Sequence, residues 1–306
     1  YLIGRTPSAK ILLKAFAEVK PTVILSVPLI LEKIYKKMIQ PQISKTPVSW
    51  VLKVPLLDQV VLGKIREKLM TAFGGEFSQI IIGGAPLNAE VEAFLRRIKF
   101  PITIGYGMTE TAPLISFTPW TEFRSQSCGQ VLRGFMEARI SNPDADGVGE
   151  IQVRGENVMM GYYKNEQATK ESFTEDGWLR TGDLGTIDED GFIYIKGRCK
   201  TMLLGPSGQN IYPEEIEAKI NNMPYVLESL VLQKEDARLV ALVCPDFEAV
   251  DADKLTQEQL EVAMEENRKL VNQQLAAYEQ VNVFKLYPHE FEKTPKKSIK
   301  RFLYEA

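Results

Sequence analysis

Residues 181–217 constrain the fold more tightly than any other stretch: TGDLGTIDEDGFIYIKGRCKTMLLGPSGQNIYPEEIE. Apolar and polar residues alternate over 184–188 and again over 192–196, and Glu189-Asp190-Gly191 between them has the chemistry of a tight turn. This predicts a hairpin with Asp183 at the start of its first strand and Arg198 just past the second. A third apolar run over 201–204 enters a Gly/Pro/Ser loop. Pro213 then opens a helix whose first turn carries Glu214 and Glu215, as the helix dipole favours. A carboxylate and a guanidinium so placed suit a polyhydroxylated ligand, because Asp183 can accept hydroxyl protons and Arg198 offers donors in a fixed fork. A plain hairpin with a surface ion pair fits the same spacing.

Upstream, the pattern alternates helix and strand in α/β fashion. Ser8 is placed to cap a helix running to about Val19, residues 22–27 are rich in β-formers, and Pro28 starts a second helix through Met38. Three prolines make 41–55 a loop or broken helix, and 58–72 has helical spacing. The short apolar run 79–82 ends in Gly83-Gly84-Ala85-Pro86-Leu87, after which Asn88 caps a helix over 89–98. A strand, then glycines, then a helix is where an α/β sheet exposes its ligand-binding edge, and glycine lets a flat ligand approach the backbone. A tight turn would need the same residues. A further strand over 101–104 runs into Gly105-Tyr106-Gly107-Met108-Thr109-Glu110-Thr111. Strands and turns continue from Gln130 to Lys196, beginning with a strand over 131–140. Trp178 reads as core. Beyond Lys200 come paired strands over 227–233 and 238–244, a charged helix over 256–277 and a last strand over 281–287.

Taken in order, G-Y-G-M-T-E, G-E-I-Q-V-R-G, G-Y-Y, T-G-D-L-G, G-R-C-K and G-Q-N-I-Y-P-E-E-I-E resemble the later part of an acyl-adenylating enzyme, the family of acyl-CoA synthetases, peptide-synthetase adenylation domains and luciferases. The resemblance implies that Tyr106 stacks on or near adenine, Thr109 contacts the α-phosphate and Glu110 ligates Mg²⁺, a hard cation that prefers carboxylate oxygen. It implies a nucleotide-binding role for Gly83, Gly84, Ala85 and Gly107 as well. Asp183 would hold the ribose hydroxyls, Arg198 would contact the nucleotide and Lys200 would be a hinge. Gly208 would lie where the pantetheine arm of CoA passes the backbone. The G-E-x-x-V-R-G and G-Y-Y elements read as packing and turn residues of a β-barrel-like part.

The family ends in a basic motif whose lysine, just before an Ile, binds the carboxylate and α-phosphate. Here Ser298 stands before Ile299, and Lys297 is the nearest substitute. On an extended segment Lys297 would point the other way. The family's Ser/Thr/Gly-rich phosphate loop is not found between Tyr1 and Ala306, and the chain begins without Met or signal peptide, so it reads as the later piece of a longer enzyme. The expected organisation is α/β and α+β multidomain. A partial α/β layer over 1–115 and a β-rich part over 116–198 precede a small mobile α+β domain over 199–306.

A net charge of −3 gives no basic footprint for nucleic acid, and no apolar run reaches the ~20 residues that span a bilayer. Three scattered cysteines and no signal sequence suggest a reducing, cytoplasmic setting, with room left for peripheral membrane contact. The single histidine, His289, excludes multi-histidine metal sites and lies in a polar segment that reads as solvated surface. Within the family, GGAPL, the helix carrying KIREKL and the EKTP ending look most like long-chain fatty acyl-CoA synthetases, which would make ATP, CoA and a fatty acid the substrates and Mg²⁺ the cofactor. An aryl- or amino-acid-adenylating ligase and a non-catalytic nucleotide-binding module are the alternatives, and Ser298 favours the second. Without the phosphate loop, these residues alone would adenylate poorly.

Overall fold

The computed structural model describes residues 9–43, 57–294 and 298–305. By its internal contacts the chain divides into two compact units. One comprises Tyr1–Ala138, Val153–Leu179 and Ile187–Tyr194; the other comprises Arg139–Gln152, Arg180–Thr186 and Ile195–Ala306.

The first unit starts with α1 (Ala9–Val19), β1 (Val23–Ser26) and α2 (Pro28–Ile34). The expected break at Pro41 is not there. The chain passes through a π turn, Tyr35–Ile39, into α3 (Gln40–Ile43), and the Gln40 N–H reaches back to the Tyr35 carbonyl. A proline ring crowds the preceding turn and brings no N–H, and a widened turn relieves both problems. The rest of the 41–55 prediction lies outside the described residues. Next come α4 (Leu57–Ala72), β2 (Gln79–Ile82), α5 (Ala89–Arg97) and β3 (Ile102–Ile104). The Asn88 side chain caps α5 as expected, accepting from the N–H groups of Glu90 and Val91. Strands β1, β2 and β3 pair in parallel in that order, Ile80 lying between Ile24 and Ile102. Ile80 and Ile82 are fully buried, and the Phe73, Phe77 and Phe100 rings meet at 5.7–6.0 Å behind them. The carboxyl ends of the three strands therefore finish side by side at Ser26, Ile82 and Ile104.

Beyond this sheet come β4 (Tyr106–Gly107), which pairs with β5 (Leu114–Ser116), and then β6 (Met136–Ser141), β7 (Gly149–Gly155), α6 (Glu166–Ser172), β8 (Leu179–Ile187) and β9 (Ile193–Arg198). Strands β6 to β9 form a four-stranded sheet in that order. Among the described residues the sheets of this β-rich stretch are open and no barrel closes. The strand expected over 131–140 starts only at Met136, because Leu132 to Phe135 turn through Gly134 at φ +82°.

In the second unit, β10 (Leu203–Leu204) and β11 (Asn210–Ile211) precede α7 (Pro213–Ile220), β12 (Val226–Gln233), β13 (Leu239–Pro245), α8 (Phe247–Ala252), α9 (Gln257–Asn272) and β14 (Val281–Leu286). Strand β13 runs between β12, antiparallel to it, and β14, parallel to it, and every one of its residues is buried. Ile216 and Ile220 of α7 and Leu260, Met264 and Val271 of α9 join one core with Val231, Ala241 and Val243. Leu230, Leu242 and Cys244 form a second cluster with Phe291, and Tyr287, Ile299 and Tyr304 pack against it. The Phe291 ring stacks on Tyr287 at 4.9 Å and meets Tyr304 edge-on at 5.1 Å. Helix α9 ends at Asn272, short of the expected Ala277. The Asn272 side chain there bonds both the N–H and the C=O of Val281, which ends the helix against β14. Helices α6 and α8 were not anticipated; seven and six residues are too few to display a helical period.

Candidate functional site

In the first unit the glycines stand at the carboxyl ends of β2 and β3. Gly83 N–H bonds the Ser26 carbonyl and Gly105 N–H bonds the Ile82 carbonyl, so both loops leave the sheet from paired positions. They come close: a Cβ on Gly83 would sit 3.5 Å from the Gly105 oxygen. Gly84, at φ +87°, turns the first loop outward with Ala85 exposed. After Tyr106, which is 7% exposed, the chain makes a compact hairpin. The Met108 N–H bonds the Pro113 carbonyl, and the Thr111 hydroxyl reaches the carbonyls of Met108 and Pro113. Gly107 admits no side chain, because a Cβ there would fall 1.9 Å from the Pro113 oxygen. Thr109 and Glu110 ride on the single 3₁₀ turn of this hairpin, Thr109 exposed and Glu110 half-buried.

Residues 157–162 hold that turn from one side. Asn157 Nδ2 donates to the carbonyls of Thr111 at 2.6 Å and Leu114 at 2.8 Å. Met159 N–H donates to the Glu110 carbonyl at 2.8 Å, and the Tyr162 hydroxyl donates to Glu110 Oε1 at 2.8 Å. That bond to a carboxylate raises the Tyr162 phenol above its ordinary value. Tyr162 is held in turn, since its N–H donates to Thr169 Oγ1 at 2.8 Å on α6, whose amino end Asn165 caps.

In the second unit, Asp183 lies well inside β8, not at the start of a strand as expected. The strand begins at Leu179 and continues through Thr181 and Gly182, Gly182 taking a left-handed φ of +70° that a side chain would resist. The Thr181 hydroxyl donates to the Ile151 carbonyl and accepts from the Asp183 N–H, while the Gly182 N–H meets Glu150 Oε1 at 3.3 Å. Asp183 is 8% exposed and its Oδ1 stands 3.2 Å from Arg198 Nη1. The ion pair foreseen from spacing is therefore present, with its carboxylate sheltered and its guanidinium in solvent. Next to it, burial first and the charges of Glu150 and Asp183 second raise the Cys199 thiol.

The first unit thus brings Gly83, Gly84, Ala85, Tyr106, Gly107, Thr109 and Glu110 to one sheet edge, and the second brings Asp183 and Arg198 together. Lys200 is exposed in the turn after β9. Gly208 is exposed at φ +82°, and a Cβ there would meet nothing within 4 Å, so backbone conformation and not crowding calls for glycine. Lys297 lies outside the described residues. Its neighbour Ser298 is exposed and faces Thr294, whose N–H donates to the Ser298 carbonyl at 2.8 Å. His289 is exposed and Trp178 is buried beneath the Arg154 guanidinium, both as expected. Sequence reasoning missed Asn157, Tyr162 and Glu150. The last two lie in G-Y-Y and G-E-x-x-V-R-G, which read as packing because no periodicity reveals a partner 52 or 32 residues away.

No described helix is long and apolar enough to cross a membrane. Among the described residues no group of three or more His, Cys, Asp or Glu is arranged to hold a metal. A lone carboxylate beside an exposed hydroxyl does fit a magnesium ion that arrives on phosphates and keeps part of its water.

The first unit thus carries a strand-to-glycine edge with an aromatic, a hydroxyl and a carboxylate, and the second carries a sheltered Asp–Arg pair. The chain belongs to the family of AMP-binding enzymes, whose family model matches residues 2–163. It is similar to the long-chain-fatty-acid–CoA ligase FadD15 of Mycobacterium bovis, at 31% identity over 98% of this chain and 55% of that protein. It is similar also to the long-chain-fatty-acid–CoA ligase ACSBG2 of Gallus gallus, at 31% identity over 76% of this chain and 33% of that protein. Among solved structures, ATP-bound MatB from Rhodopseudomonas palustris superposes with a TM-score of 0.69 at 25% identity, covering 97% of this chain and 52% of that one. The chain therefore spans about half the length of the first of these relatives, and less of the second.

Proposed function

We propose that this chain forms the nucleotide-binding and thioester-forming part of an ATP-dependent long-chain fatty acid–CoA ligase. In the first step a fatty carboxylate oxygen attacks the α-phosphorus of ATP, the bond to pyrophosphate breaks, and an acyl-adenylate forms. In the second, the CoA thiol loses its proton and attacks the acyl carbon, and AMP leaves. No side chain need act as nucleophile; positioning and charge stabilisation carry such a reaction. The observation that carries the reading is the sheltered Asp183 carboxylate held by Arg198 at 3.2 Å, a receptor for ribose hydroxyls with its geometry set in advance. Tyr106 offers a face for adenine, Thr109 a hydroxyl for the α-phosphate, and Glu110 a carboxylate for magnesium. That ion would neutralise phosphate charge as pyrophosphate departs. Lys200, exposed after β9, serves as the hinge between a large part and a small one, and Lys297 is the candidate for the basic group near the reacting carboxylate.

The fatty substrate rests on the names of the two relatives at 31% identity. The test is Asp183→Ala, with AMP affinity measured by calorimetry and pyrophosphate release measured with palmitate and with benzoate in a polypeptide that contains this chain. Losing two hydrogen bonds to a charged acceptor should weaken AMP at least tenfold, and release should follow palmitate. Unchanged AMP affinity would overturn the nucleotide assignment, and release with benzoate alone would overturn the acyl assignment.

A further inference from the structure

We propose that Tyr162 is a positioning residue for Glu110: its hydroxyl fixes the carboxylate so that the magnesium carried on a nucleotide meets a ready-made ligand. This rests on the reading of Glu110 given above. The Tyr162 hydroxyl donates to Glu110 Oε1 at 2.8 Å, and Met159 N–H holds the backbone carbonyl of the same residue at 2.8 Å. Glu110 is thus tied at main chain and side chain by one short segment, and a carboxylate with one oxygen engaged is held in one rotamer. Such outer partners orient ligating carboxylates, and their loss commonly costs tenfold or more in metal affinity.

Tyr162 is itself not free to drift. Gly161, at φ +150°, carries the chain over Thr169, where a Cβ would lie 2.7 Å from Thr169 Cγ2. The Tyr162 N–H is bound to the Thr169 hydroxyl, which also donates to the Asn165 carbonyl. The hydroxyl is therefore placed by a helix start, not by a wandering loop. Tyr162 is 39% exposed, so removing its oxygen leaves no buried hole.

The experiment compares ATP-analogue affinity with and without metal, using the non-cleavable analogue with a methylene between its α- and β-phosphates. Dissociation constants are measured by calorimetry in excess Mg²⁺ and in EDTA, for the unaltered chain, Tyr162→Phe, and Glu110→Gln. The quantity read is the ratio of the two constants, which cancels any general loosening of the nucleotide site. Tyr162→Phe should lower the magnesium-dependent gain roughly tenfold and leave the EDTA value unchanged, while Glu110→Gln should lower the gain at least as far. If Glu110→Gln abolishes the gain and Tyr162→Phe retains it, the positioning role is wrong and the metal assignment stands. If Glu110→Gln also retains it, the metal assignment itself fails. A Tyr162→Phe chain weakened equally in both conditions would show a merely structural part and overturn the proposal.

Discussion

Replacing Arg301 with Met should destabilise the second unit more at pH 8 than at pH 5. Glu217 of α7 is 8% exposed, and its Oε1 accepts from Arg301 Nη1 at 2.7 Å and from the Val231 N–H at 2.6 Å. Arg301 Nη2 donates onward to the Val231 carbonyl at 2.7 Å, so three elements meet at one carboxylate. Burial pushes the Glu217 carboxyl up from 4.5 to about 7, although Arg301 and the Val231 N–H both favour its charged form. The folded chain therefore holds this proton more tightly than the unfolded chain does. Between these two values folding takes up protons, and stability falls as pH rises. At about 1.4 kcal/mol for each pH unit, a rise from 4.5 to about 7 amounts to about 3 kcal/mol, present below 4.5 and lost by about 7. At pH 8 Arg301→Met would leave the buried Glu217 carboxyl without its cation, and that carboxyl would take up a proton, which adds up to about 1.4 kcal/mol to the cost at pH 5. At pH 5 that carboxyl is neutral when folded, and the loss shrinks to about 1–2 kcal/mol for the bond to Val231 and the packing. Urea unfolding monitored by far-ultraviolet circular dichroism at the two pH values gives the comparison, and hydrogen-exchange protection over β12 locates it. Glu217→Gln should flatten the wild-type slope between pH 4.5 and 7. An equal cost of Arg301→Met at both pH values, or an unaltered slope in Glu217→Gln, would refute the reasoning.

Three further outcomes are expected from particular contacts. Gly107→Ala must displace the Pro113 backbone and should cost about 3 kcal/mol, whereas Gly84→Ala meets no atom and should cost only the about 1–2 kcal/mol of a left-handed backbone; melts that agree within a degree would contradict this. Asn157→Ala strips a donor from two carbonyls and should lower stability by about 1–3 kcal/mol while weakening magnesium-dependent nucleotide binding; an unchanged melt would contradict the anchoring role. A disulfide-forming thiol reagent should modify exposed Cys199 in the native state and spare Cys244, which is 1% exposed and pushed up to about 11, until the chain unfolds; fast labelling of Cys244 would mean the second cluster opens locally.

The parallel layer was legible because its cues are local. Asn88 caps α5, Pro28 and Pro213 begin helices, and glycines end β2 and β3. The Asp183–Arg198 pair could be inferred from turn chemistry, since a hairpin forces its strand ends together. The parts that stayed hidden depend on distant partners. Asp183 was expected at a strand start because positive φ inside a strand, as at Gly182, needs a neighbouring strand to hold it, and Glu150 supplies one of those holds. The passage across Pro41 was invisible because a π turn leaves no compositional mark. Tyr162 read as a packing or turn residue because its partner Glu110 sits 52 positions earlier.

The crowding at Gly107 has a bearing on how mutational scans of this chain should be interpreted. Substitutions there would damage the chain as much as the loss of a residue that touches substrate, yet the cause would be an oxygen atom of the chain's own backbone sitting where a methyl group would have to go. Intolerance at Gly107 thus speaks of packing and not of chemistry, and a ranking by damage alone would promote a steric position to the status of a participant.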